Sequence, residues 1–212
     1  MLALFFEVLP KPGHEEHYFR HVNMLKPVLA DHTGMTWLDR FKSLSRDRVI
    51  LSHQLWEDDA AIARWREDKQ HQGSQTAGRY SHFEDYRIRI AEVYLRVEQG
   101  RPVEQFEPGA AATGGHIVAG HSRGKPLTGF EESFASVNID DAYMGVSSAA
   151  SAEEAGRLLA GLTNDQNMSW AFAARMIRDY GMYERDQAPQ NYPPVEDHSH
   201  MGSCEPRKFL QT

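Results

Sequence analysis

The chain has 212 residues, of which 41% are hydrophobic and 25% charged, and its formal net charge is −7. This composition is typical of a globular protein with a hydrophobic core, and the length predicts one large domain or two small ones. The acidic balance argues against nucleic-acid binding, the single Cys204 excludes an internal disulfide, and no apolar run approaches the ~20 residues of a membrane-spanning helix. Because the start lacks a signal-peptide pattern, we expect a cytoplasmic protein with no membrane contact.

The charge is unevenly distributed along the chain. Residues 1–106 carry 15 basic and 16 acidic side chains, whereas residues 107–212 carry 8 and 14. This change coincides with a stretch rich in Gly, Pro and Ala, which is typical of a connection between two halves. The predicted organisation is a first domain over 1–104, a linker over 105–115, a second half over 116–186 and an irregular C-terminal arm over 187–212. The near-neutral first half is where we expect the ligand pocket.

The first half predicts the element order β-α-β-β-α-β. Turn residues, helical spacing of apolar residues and strand alternation give the boundaries. The predicted elements are a strand over 4–9, a helix from Glu15 that kinks or ends near Pro27, strands over 37–44 and 49–57, a helix that begins after the N-cap Asp58 and runs through His71, and a strand over 86–97. Residues 72–79 are predicted to form a loop. This order is that of the ferredoxin-like unit, an α+β fold.

The second half matches the first faintly at an offset of 93 residues. Phe41–Ser43 then falls on Phe134–Ser136, and Asp58–Ala61 falls on Ser151–Glu154. Ser151 and Glu154 form a capping box that opens a helix. Too few residues precede the strand near Phe130 to form a first helix. The second half is therefore predicted to be a degenerate ferredoxin-like repeat, unless two α+β halves match here by chance.

Histidine is unusually frequent, with eleven residues in the chain. His17 and His21 share a helix face and could chelate a metal, but no third ligand follows at a diagnostic spacing. The favoured interpretation is therefore that these two histidines lie on a solvent-exposed helix face beside an interface. His53 shares a strand face with Leu51 and Leu55. It is either a satisfied core histidine or a group that lines a pocket and transfers protons.

Trp65 and His71 are a second candidate pair, six residues apart. A tryptophan beside a histidine could hold an aromatic substrate and move its proton. The alternative is a core tryptophan with an exposed histidine at a helix end. The sequence contains no GxGxxG, GxxxxGK[ST], GxSxG or CxxC motif, and Cys204 has no identifiable neighbouring base.

A set of residues in the first half follows the pattern of a known family. It comprises Gly34-Met35, Phe41-Lys42-Ser43, Ser52–Asp58, Ala61–Trp65, His71, Gly78-Arg79 and Phe83–Tyr86. In these positions residues 1–97 resemble the antibiotic biosynthesis monooxygenase family, and the region after residue 115 is weakly similar to a second copy. The resemblance implies ferredoxin-like units whose sheets pair into a dimeric α/β barrel, within the chain or across a homodimer. It also implies a ligand pocket between sheet and helices.

Some members of that family oxidise polyphenolic substrates with molecular oxygen and without a cofactor, because the deprotonated substrate reduces oxygen directly. The resemblance therefore implies a cofactor-independent monooxygenase that acts on a small aromatic or polyketide-like substrate and binds no metal. His71 or His53 would be the base, Arg87 would stabilise the anion and Trp65 would support the substrate. The other predicted substrate-binding residues are Trp56, Phe41, Phe5 and His21.

Two alternatives remain open. A related branch binds and degrades haem with an axial histidine, a tryptophan and a first-strand asparagine. His71 would then ligate the haem iron, although the first strand here offers Phe5, Phe6 and Glu7 instead of asparagine. The second alternative is a non-catalytic module that binds a small ligand, in which the histidines merely lie at an interface.

Overall fold

The computed structural model describes residues 1–99, 101–189, 192 and 195. Its helices are α1 (Glu15–Ala30), α2 (Asp59–Glu67), α3 (Lys69–Ala77) and α4 (Ala152–Leu162), with a π-helical turn at Gly78–His82. Its strands are β1 (Leu2–Pro10), β2 (Met35–Ser43), β3 (Ile50–Trp56), β4 (Phe83–Glu98), β5 (Arg101–Gln105), β6 (His116–Arg123), β7 (Glu132–Ser136), β8 (Ala142–Ala149) and β9 (Met168–Gly181). No helix in this part of the chain is long and apolar enough to span a membrane. Cys204 and most of the predicted C-terminal arm lie outside the described residues.

Eight of the described strands close into an antiparallel barrel within the single chain. The order around the ring is β1, β3, β2, β7, β8, β6, β9 and β4, and β4 pairs back with β1. Each half contributes four strands in the same order, β4-β1-β3-β2 and β9-β6-β8-β7, which is the ferredoxin-like arrangement. The ring therefore needs no second chain to close, and a homodimer stays a prediction. The short β5, which the sequence did not predict, pairs with the end of β4.

Two seams join the halves of the barrel. In the β2–β7 seam, Lys42 lies opposite Ala135, so the tripeptides that match at the 93-residue offset pair with each other. The β4–β9 seam is centred near Glu92 and Arg175, which are fewer than 93 residues apart in the sequence. The two halves are offset by less here because the second half has only α4 where the first has α2, α3 and the π-helical turn. The described residues between β6 and β7 form no helix, as expected. This symmetry supports the predicted repeat, although the duplication itself stays a prediction.

Side chains alternate between the barrel interior and the helix-covered outer face. In β3, Leu51 and Leu55 belong to the interior cluster, while Trp56 belongs to the cluster under the helices. This is the predicted two-faced pattern. The helices α1 and α2 pack on the outer face of the first half, and α4 packs on that of the second. Burial of apolar area on both faces of the sheet is the main stabilising contribution.

Local capping sets where the helices begin. The Asp58 carboxylate accepts a hydrogen bond from the Ala61 N–H at 2.8 Å, and the Ser151 hydroxyl accepts one from the Glu154 N–H at 3.1 Å. Both predicted caps are confirmed. The helix predicted to run from Asp58 through His71 is instead divided, because Asp68 leaves helical geometry and caps α3.

Two other local predictions differ from the structure. The loop predicted over 72–79 was wrong, since these residues form most of α3 and the start of the π-helical turn. The Gly and polar residues of this stretch have low helix propensity, and the N-cap Asp68 compensates by stabilising the start of α3. In addition, α1 continues past Pro27 to Ala30. A proline this close to the helix end disrupts few main-chain hydrogen bonds.

Candidate active site

A cavity of about 400 Å³ lies between the outer face of the first half and its helices. The apolar residues of its sheet side include Leu4, Phe6, Ile88 and Ile90, and those of its helix side include Val22, Leu25, Leu29 and Trp65. A mostly apolar pocket of this size with a few polar groups suits a small organic ligand. Most of the residues that line the cavity belong to the near-neutral first half, where the pocket was expected, and Tyr180, Arg185 and Tyr192 complete the lining.

His71 lies in the first turn of α3, directly after the Asp68 cap. Its ring stacks on the Trp65 indole with the ring centroids 4.0 Å apart and the planes 14° apart. The His71 Nδ1 lies 2.9 Å from the Trp65 main-chain oxygen. Because a carbonyl oxygen can only accept, Nδ1 carries the proton of the neutral ring and Nε2 holds the free electron pair. The Gln75 Nε2 lies 3.1 Å from the same Nδ1. The Gln75 amide is oriented by other partners, because its Nε2 donates to the Arg66 main-chain oxygen at 3.3 Å and its Oε1 accepts from the Tyr192 hydroxyl at 2.8 Å.

Burial controls the charge of His71. Desolvation lowers the pKa of His71 from 6.5 to about 4, and the hydrogen bond to the Trp65 carbonyl opposes this shift only partly. The ring is therefore neutral near pH 7 and offers Nε2 as an acceptor. An anion formed beside the ring would stabilise the imidazolium and counter the desolvation. Proton uptake by His71 is thus favoured when a ligand ionises in the cavity.

Further polar groups of the cavity come from α1, α3 and the π-helical turn. His21 lies with its Nδ1 2.9 Å from the Ser74 hydroxyl oxygen and so links α1 to α3. His82 also lines the cavity, and its ring stacks on the half-buried His17. Within the described parts of the chain, no group of three or more His, Cys, Asp or Glu side chains is arranged to hold a metal ion.

The structure brings together three of the eight predicted site residues. Trp65, His71 and His21 all line the cavity. Trp56 lies on the same side of the sheet but is fully buried, where its Nε1 donates to the Gln54 Oε1 at 2.9 Å.

The remaining four, His53, Phe5, Phe41 and Arg87, lie on the barrel side of the sheet, away from the cavity. His53 is 0% exposed, stacks on Phe5 at 4.4 Å, and its Nδ1 donates to the Leu4 oxygen at 3.0 Å. Burial lowers the pKa of His53 to about 3. Of the two interpretations of His53, the structure therefore supports the core histidine. Arg87 is ion-paired with Asp179 at 2.6 Å. These positions separate the four residues from any ligand in the cavity.

Sequence reasoning missed a connected group on the cavity side of the sheet. Ser52 and Gln54 lie on the β3 face opposite His53, and the Gln54 Nε2 donates to the Ser52 Oγ at 3.2 Å. Ser52 and Arg40 in turn lie beside the Tyr18 phenol. Strand alternation contained the signal for Ser52 and Gln54, since two polar residues share a face with buried Ile50 and Trp56.

The position of the cavity agrees with the pocket that the family resemblance implied. The model of the antibiotic biosynthesis monooxygenase family matches residues 1–77. The chain is also 30% identical over 219 residues to a jasmonate monooxygenase from Pyricularia oryzae, across 92% of this chain and 100% of that protein. The chain therefore belongs to the antibiotic biosynthesis monooxygenase family, and the resemblance found in the sequence is confirmed.

Solved structures similar to this chain share little sequence with it. An anthrone oxidase-like protein is 10% identical, with a TM-score of 0.41 over 89% of this chain and 96% of that chain. A protein from Pseudomonas aeruginosa is 16% identical, with a TM-score of 0.38 over 50% of this chain and 94% of that chain.

Proposed function

We propose that this protein is a cofactor-independent monooxygenase that oxidises a small aromatic or polyketide-like molecule with molecular oxygen. The observation that carries the proposal is the neutral His71, stacked on Trp65 in an apolar cavity with its Nε2 electron pair free. Family membership and the relative named as a jasmonate monooxygenase support oxidoreductase activity.

In the proposed reaction, His71 Nε2 accepts a proton from an acidic C–H or O–H group of the substrate. The resulting imidazolium keeps its Nδ1–H hydrogen bond to the Trp65 carbonyl and forms an ion pair with the substrate anion. This pair is strong because the apolar walls of the cavity exclude water. The delocalised anion then transfers one electron to molecular oxygen, and the resulting substrate radical and superoxide combine to form a carbon-bound peroxide anion. This peroxide takes the proton back from the His71 imidazolium and loses water to leave a carbonyl group, so the chemistry needs no redox-active side chain. Trp65 supplies the platform that orients an aromatic substrate.

Oxygen uptake with a panel of hydroquinones and anthrones tests this proposal. We expect turnover by the wild type and a loss of about 10²- to 10⁴-fold in kcat/KM for His71→Gln, the usual contribution of a general base. His116→Gln is the matched control, because His116 is half-buried on β6 of the second half and outside the cavity lining. Absence of turnover across the panel, or full activity of His71→Gln, would contradict the proposal.

Haem binding is the second candidate, and the His71 tautomer suits ligation of haem iron as well as it suits general-base catalysis. A histidine that ligates a metal commonly donates its other ring N–H to a carbonyl, as Nδ1 does here. His71 Nε2 could therefore be an axial ligand of haem iron. The discriminating measurement is the absorption spectrum of the protein before and after addition of haemin. A Soret band that His71→Ala abolishes would support haem binding and overturn the cofactor-independent reaction.

A non-catalytic ligand-binding module is the third candidate. Binding of hydroquinones or anthrones in calorimetry, without oxygen uptake and without a Soret band, would support it.

A further inference from the structure

The charged side chains that line the cavity in the described part of the chain are all cationic. Among the described residues that line it, Lys26, Arg40, Arg66 and Arg185 are basic and none is Asp or Glu. This bias is the reverse of the whole chain, whose net charge is −7. Positive charge beside a low-dielectric cavity attracts an anion, because the field is poorly screened there.

Arg40 is where this charge is least compensated. It projects from the outer face of β2, opposite Ser52 in the strand register. No described carboxylate lies within ion-pair distance of its guanidinium, and its buried Nε–H has no acceptor. Arg66, by contrast, pairs with Glu67 at 3.3 Å. Partly buried charges are normally paired, so an unpaired arginine at a cavity wall indicates that the ligand supplies the anion.

A chain of hydrogen bonds prepares Tyr18 as a second donor beside Arg40. The Trp56 indole donates to Gln54, and the Gln54 amide donates to Ser52. The Tyr18 phenol lies beside Ser52 and Arg40, and both side chains oppose the rise in its pKa that burial causes. Burial raises the pKa of Tyr18, so its proton is retained at neutral pH. The Tyr18 O–H group therefore remains available to donate a hydrogen bond to an acceptor on the ligand.

We propose that Arg40 and Tyr18 bind a carboxylate group of the substrate, so that this cavity selects small apolar or aromatic acids over their neutral analogues. One guanidinium and one hydroxyl suit a monoanion with two oxygens. The remaining wall of the cavity is apolar and receives the hydrocarbon part. The inference rests on the proposed function in one respect, that the substrate occupies this cavity with His71 as its base. Arg40 is then a specificity-determining residue that positions the acid relative to His71.

Calorimetric titration with 1-naphthoate and 1-naphthamide tests the inference, because the two probes have nearly the same shape and differ in charge. We expect the wild type to bind the acid about 10- to 100-fold more tightly, the range for a hydrogen-bonded charge. Arg40→Gln should bring the two affinities to within a few fold. Arg157→Gln removes the same charge from the exposed surface of α4 and should keep the preference.

Equal binding of both probes by the wild type, or binding of neither, overturns the inference. So does an undiminished preference in Arg40→Gln. If Arg40→Gln fails to fold, Arg40→Lys retains the charge but not the planar fork, and a partly reduced preference supports the same assignment.

The binding experiment needs no oxygen, so its outcome is separable from that of the monooxygenase proposal. A carboxylate preference without oxygen uptake on any substrate would sustain the anion site and reject the reaction. Oxygen uptake on neutral hydroquinones without any carboxylate preference would support the monooxygenase reaction and reject the anion site.

Discussion

His53 couples the stability of the barrel to pH, and His53→Phe tests this directly. The imidazole is fully buried at the barrel centre between Phe5 and Phe172, with ring centroids 4.4 Å and 5.7 Å away. Its Nδ1–H bonds to the Leu4 oxygen, and its Nε2 has no hydrogen-bond partner among the described residues. A phenyl ring retains the stacking and cannot titrate.

The magnitude follows from the pKa of His53, which burial lowers from 6.5 to about 3. Between these two values the unfolded chain binds a proton that the folded chain does not. Acidification therefore favours unfolding, and the His53 contribution to stability is lost as the pH falls below 6.5. From pH 7 to pH 5 this loss is about 2 kcal/mol.

Urea unfolding at pH 7 and pH 5, followed by far-UV circular dichroism, measures the effect. Between the two pH values, His53→Phe should lose about 2 kcal/mol less unfolding free energy than the wild type. Leu159→Ala is the control, because it opens a cavity in the separate cluster under α4 and lowers stability without changing the surroundings of His53. Its sensitivity to acid should match that of the wild type. Equal acid sensitivity in His53→Phe and the wild type would refute the reasoning.

Two further predictions concern the site and the backbone. Since the pKa of His71 is lowered to about 4, kcat/KM should stay level from pH 8 to about 5.5 and fall only at lower pH, as Nε2 becomes protonated. A decline with its midpoint near 6.5 in pH-dependent oxygen uptake would contradict this. Gly34→Ala should cost about 1–3 kcal/mol in urea unfolding, because Gly34 has a φ of +95° and its Cβ would lie 2.5 Å from that of Ala61. A cost below about 0.5 kcal/mol would show that the loop relaxes freely.

Much of the fold could be predicted because its signals are local. The Asp58 and Ser151 caps act through hydrogen bonds to residues three positions away. The alternation in β3 follows from the pleat alone. The division at Asp68 was missed because the residues of α3 have low helix propensity and bury none of their side chains.

The candidate site was harder to predict, because it depends on which face of the sheet meets the helices. Both faces of β3 are buried, so alternation separates His53 from Ser52 and Gln54 without showing which set borders a cavity. Arg40 belongs to no recognisable sequence motif. It becomes a candidate only when α1 places Tyr18 beside it and no described carboxylate neutralises it.

The sequence by itself determined the order of elements, the caps, the two faces of each strand and the family, because all of these follow from neighbouring residues or from a pattern along the chain. Only the packing of distant segments shows that the barrel closes within one chain, that His53 is a core residue and that His71 lines the cavity with its Nδ1 bonded to the Trp65 carbonyl. These features depend on pairings between distant strands and on one main-chain carbonyl. No local pattern specifies such contacts, since they form only when both halves of the chain pack together.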